Sequence, residues 1–155
     1  IHRIMHITSH TPYCLKDPRF SYTLPIWQPH LSNEVYVVVF RHPGDTALSL
    51  VKECQDVARL KSYLQFSLDD GLQLWYLIYQ HILKHYQDDG NWLFVHYNQL
   101  LDHSIYDRLE DLTQCPVDRK FSDPKLHRSH NSDTRLNKKT SDLYQQLCLL
   151  ANFSY

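Results

Sequence analysis

Glycine is scarce in this 155-residue chain, which has only Gly44, Gly71 and Gly90. None of the three opens a glycine-rich phosphate loop, and no Walker A pattern exists. Charge of one sign is also lacking. Sixteen Lys and Arg face seventeen Asp and Glu, for a net charge of −1. Without a basic tract, nucleic acid and anionic membrane are not expected partners, and any bound anion must meet a local site. Cys14, Cys54, Cys115 and Cys148 form no C-x-x-C pair, which removes zinc and thioredoxin-like readings. Their density is too low for a disulfide framework, so reduced thiols and a cytoplasmic location are expected. The longest apolar run, Val35 to Phe40, is far too short to span a bilayer. No signal peptide pattern is visible. The first residue is Ile1 rather than Met, so further sequence is expected upstream.

What is present suits a folded domain. A hydrophobic share of 43% provides for a core, and the length suggests one domain over 1–155. Val35–Phe40 is β-branched, aromatic and continuous rather than alternating, the pattern of a strand buried on both faces of a parallel sheet. Tyr13–Lys16 reads as a short strand that stops at Asp17-Pro18. Residues 1–13 show no clear periodicity. The turn His42–Asp45 opens a helix running to about Val57, with Pro43 or Asp45 suited to its first turn. Ser67 and Asp70 form a capping box before a second helix. Its stripe of Leu72, Trp75, Tyr76, Tyr79, Ile82, Leu83 and Tyr86 is explained by core packing. Trp92–His96 is the next strand. Ser104 with Asp107 repeats the capping-box pattern before a helix to about Thr113. Residues 129–140 read as a polar loop, and Leu143, Leu147 and Leu150 mark a last helix. Strands alternating with helices predict an α/β fold, a parallel sheet flanked by helices. Ligands in such sheets sit outside the carboxyl ends of the strands. That directs attention to Lys16–Arg19, Arg41–Asp45 and Tyr97–Asn98.

Arg41, at a strand end, and Ser49, inside the following helix, can converge on one anion. Arginine offers a planar fork for two phosphate oxygens, serine a hydroxyl, and the helix start backbone N–H groups. The residue types equally allow Arg41 to pair with a surface carboxylate and Ser49 to be merely tolerated in mid-helix. The eleven histidines include His2, His6 and His10 at intervals of four, and His127 and His130 at an interval of three. Such spacing can align metal ligands on a helix, but no acidic or cysteine partner matches it, and no metal site is expected. His10 is also a conceivable general base.

Val35–Leu50, VYVVVFRHPGDTALSL, resembles the 3′-phosphate-binding strand–turn–helix of sulfotransferases that use 3′-phosphoadenosine 5′-phosphosulfate (PAPS). Three further stretches resemble the same family in the same order. They are Cys14–Arg19 (CLKDPR), Trp92–Leu101 (WLFVHYNQLL) and Phe121–Ser129 (FSDPKLHRS), with closest likeness to the bacterial and tyrosylprotein-type branches. The resemblance covers about Tyr13 to Ser129. It implies that Arg41 and Ser49 hold the 3′-phosphate, that Tyr97 contacts the adenine, and that Lys16 faces the transferred group and offsets its charge. A surface lysine and a core tyrosine remain open for the last two. It also implies a P-loop-nucleotide-transferase-like sulfotransferase fold. Its activity would be transfer of a sulfuryl group from PAPS, as co-substrate, to a hydroxyl or amine of a small-molecule, glycan or peptide acceptor.

Two departures stand against that pattern. Asn98 and Gln99 replace the acidic pair expected after Tyr97, which predicts some lost local hydrogen bonding without loss of the fold. The family's 5′-phosphosulfate loop is missing, and in family order it would precede residue 1. The chain by itself is therefore expected to be N-terminally incomplete as a fold, to show little or no transfer, and to self-associate through an exposed sheet edge or apolar surface. Rival readings are a non-catalytic nucleotide-binding or interaction module with a degenerate sulfotransferase fold, or another nucleotide-dependent transferase.

Overall fold

The computed structural model describes residues 2–56, 65–88, 90–122 and 133–154. The two described strands, β1 (Val35–Phe40) and β2 (Asn91–His96), pair in parallel with Val35 opposite Asn91 and Phe40 opposite His96. Their connection carries helix α3 (Pro43–Asp56) and the long helix α4 (Leu68–His85). Helix α4 starts as expected. Ser67 accepts from the Asp70 N–H, and the Asp70 carboxylate accepts from the Ser67 N–H at 2.9 Å. The two donors left over at a helix start are thereby satisfied reciprocally.

The apolar stripe of α4 becomes the centre of the main core. Trp75, Ile82, Leu83 and Tyr86 are buried there against Val38 and Phe40 of β1 and Phe94 of β2. The far wall is helix α7 (Lys138–Ala151), which supplies Leu143, Tyr144, Leu147 and Ala151. Helices α3 and α4 approach closely at Gly71, where a Cβ would stand 2.8 Å from the Cβ of Ala47. A smaller core lies on the other sheet face. There Leu93 and Val95 of β2 meet Ile105 and Tyr106, at the start of helix α6 (Tyr106–Thr113). The short helix α5 (Tyr97–Leu101) follows β2 directly.

Several expectations are corrected. The first strand is not buried on both faces. Val37 and Val39 are 40% and 43% exposed, because the second core covers β2 but stops short of β1. Tyr13–Lys16 is irregular rather than a strand, with no strand alongside it among the described residues. The patternless first segment contains helix α1 (His2–Thr8), whose one buried residue is Ile4. Helix α2 (Phe20–Trp27), unread in the sequence, buries Ser21 and Leu24 and carries Pro25 inside it. A helix this short holds through packing rather than propensity. Ser104 does not cap α6. Ile105 takes that position without a side-chain bond, and the Ser104 N–H is bonded to Asp102 instead. Of the expected 129–140 loop, 133–137 is irregular and α7 already begins at Lys138, capped by Asn137. Residues 123–132 lie outside the described residues, and with them most of the Phe121–Ser129 stretch.

Candidate functional site

Two chain segments leave the sheet at the same edge, one after Phe40 and one after His96. After β1, Arg41 and His42 lead into α3. The His42 Nδ1 accepts from the Gly44 N–H at 3.2 Å, and its carbonyl accepts from Thr46 at 3.1 Å. The imidazole thus occupies a capping position at the start of α3. Pro43 fits the first turn because it has no N–H to leave unsatisfied. Burial pushes the His42 pKa down, with the nearby Asp45 acting the other way.

After β2, the chain turns straight into α5, and His96 becomes its cap. The His96 Nδ1 accepts from the Asn98 N–H at 3.2 Å. An N–H only donates, so the neutral ring carries its proton on Nε2, which lies 3.1 Å from the Tyr144 hydroxyl of α7. The ring is stacked on Phe153 with centroids 3.8 Å apart, and Phe40 meets it edge-on. Burial holds the pKa of His96 down at about 4, helped by the positive neighbourhood of His42 and Arg41.

Gln99 locks the same joint. Its Oε1 accepts from the His96 N–H at 2.9 Å, and its Nε2 donates to the Ala151 carbonyl at 3.0 Å. The expectation of lost hydrogen bonding at Asn98-Gln99 is therefore corrected. The amide does what a glutamate could not, because a carboxylate has no proton to give Ala151.

Arg41 stands between these two turns. Its guanidinium lies over the Tyr97 ring, 4.8 Å from the centroid. Its Nη2 is buried and, among the described residues, has no hydrogen-bond partner. A buried, cationic donor without an acceptor is costly unless something negative completes it. The site thus joins Arg41 and Tyr97, two residues singled out in the sequence far apart in the chain. The third, Ser49, is exposed six residues beyond Pro43 in α3. Among the described residues no hydrogen bond joins Ser49 to Arg41. Lys16 is exposed in the irregular 13–17 segment, and no described contact ties it to Arg41. Its neighbours Asp17 and Arg19 pair with each other, which holds the Asp17 pKa at about 2. His10 lies just beyond α1, where its Nδ1 donates to the His6 carbonyl at 2.7 Å.

His96 and Tyr144 were missed by the sequence reading. The signal for His96 was present, since a histidine at the end of a buried strand opens onto the same edge as Arg41. Tyr144 offered none, because nothing local told which face of the last helix meets the strand ends.

No protein-family profile, characterised protein or solved structure matches the chain. All four cysteines are free, and no described helix is long and apolar enough to cross a membrane.

Proposed function

We propose that the chain is part of a sulfotransferase that binds PAPS, with Arg41 as the main ligand of the 3′-phosphate. One observation carries this reading: among the described residues the buried Arg41 Nη2 has no acceptor, at the strand edge where α/β folds bind ligands. A phosphate oxygen would complete it. The adjacent start of α3 favours negative charge, and its Asp45 is the one acidic residue of the first turn. The Tyr97 ring under Arg41 orients the fork and offers an aromatic face beside the phosphate. Ser49 is assigned to a second oxygen of that phosphate, and Lys16 to charge on the transferred group, both on the family resemblance. When bound, PAPS supplies the sulfuryl group. The part of this chain is to grip and orient the nucleotide, so that transfer rests on positioning. The acceptor is a hydroxyl or amine of a small molecule, glycan or peptide.

The test is calorimetry with adenosine 3′,5′-bisphosphate. The chain should bind it, and Arg41→Ala should weaken binding about tenfold or more, the worth of one charge-assisted contact of roughly 1.5–3 kcal/mol. Equal affinity in both proteins would remove Arg41 from the phosphate. Binding without any sulfotransfer would place it among non-catalytic nucleotide-binding modules.

A further inference from the structure

Away from the strand edge, α4 carries His81 and His85, one helical turn apart. Their ring centroids are 4.4 Å apart. Imidazoles four residues apart on a helix share one face, the spacing by which helical histidine pairs grip a metal ion. Both rings line a cavity of about 360 Å³ between α4 and α2, together with Tyr22, Pro25, Gln28 and Tyr86. Tyr22 packs against the His81 ring at 4.5 Å, and the Tyr86 hydroxyl lies 3.4 Å from its Nε2. That nitrogen is held at the cavity lining by a long hydrogen bond, which a metal ion would replace. His85 is exposed beside it.

The geometry points to His81 and His85 as a two-imidazole chelate for a borderline divalent transition-metal ion, Cu²⁺ ahead of Zn²⁺ and Ni²⁺. Gln28 and water complete the coordination. Among the described residues the cavity lining contains no carboxylate and no thiolate, so hard cations such as Mg²⁺ and Ca²⁺ lack the oxygen ligands they need. Among the described residues no group of three or more His, Cys, Asp or Glu converges. The site is therefore an open chelate rather than a closed structural centre. Lys84 opposes a cation, but it is exposed and its charge is screened. His6 and His10 also meet, with centroids 4.8 Å apart, but His10 lies past the end of α1, so the two do not share one helix face. That second pair serves as an internal control.

The test is a Cu²⁺ titration of the whole chain, following the histidine ring signals by NMR. The paramagnetic ion should broaden His81 and His85 first and together. His85→Ala should lower the affinity of that site about tenfold or more, as expected for loss of one arm of a chelate. A His6→Ala/His10→Ala double variant should leave the site unchanged, and Mg²⁺ and Ca²⁺ should not compete. An unchanged far-UV circular dichroism spectrum confirms that the His85 variant is folded. The assignment is overturned by first broadening at His2, His6 or His10, by a His85→Ala protein that binds as tightly as its parent, or by competition from Mg²⁺ or Ca²⁺.

Discussion

Acid should destabilise this protein as the pH falls from 6.5 to 4, most strongly through His96. In the folded chain His96 is neutral, with a pKa of about 4 against an ordinary value of 6.5. Once unfolded, the ring takes up a proton near pH 6.5. Between pH 6.5 and 4 the unfolded state binds more protons than the folded one, so stability falls as pH falls. It is fully present above pH 6.5, and the loss is complete below about 4. From pH 7.5 to 4.5 the difference is about 2.5 kcal/mol. The structural cause is specific. A proton on Nδ1 would expel the Asn98 N–H, and the charge would sit against Phe153 beside Arg41 and His42. His42 and His81 are lowered in the same direction, so the wild-type slope alone does not isolate His96. The comparison is with His96→Gln, in urea melts followed by tryptophan fluorescence. For a slope of roughly 2 kcal/mol per M, the wild-type midpoint should drop about 1 M further than that of the variant. Parallel midpoints across pH 7.5 to 4.5 would refute the account.

Gly71→Ala should destabilise by about 1–3 kcal/mol in chemical melts, because the new methyl meets the Ala47 Cβ and Cα at 2.8 and 2.9 Å. A neutral or stabilised variant would mean that α3 and α4 slide apart freely. Gln99→Glu, which moves the sequence toward the family pattern, should cost roughly 2–3 kcal/mol at neutral pH. It sets a carboxylate against the Ala151 carbonyl, and an unchanged midpoint would show that this joint does not hold the fold.

The alternation of elements was legible because its signals are local. Val35–Phe40 formed β1 as read, and the Ser67–Asp70 capping box started α4 where expected. The misreadings arose where tertiary packing decides. Val37 and Val39 are as apolar as buried strand residues, and only the extent of the second core leaves them bare. Helices α1 and α2 are too short to carry a periodic signature. Arg41 and Tyr97 were singled out in the sequence, yet their stacking depends on the register that sets Phe40 opposite His96. The polar joint of His96, Gln99, Tyr144 and Ala151 spans about fifty residues of chain, so no local window contains it.

That joint also bears on how the protein is made. A chain emerges from the ribosome amino end first, and domains tend to fold as units. When β1, α4 and β2 have emerged, Trp75, Phe40 and Phe94 still lack the wall that α7 provides. Gln99 has no carbonyl to bond and His96 no Tyr144 until that helix follows. The strand pair is thus committed late, and for the time it takes to add residues 100–153 the nascent chain presents an open apolar surface, the kind of target that chaperones engage.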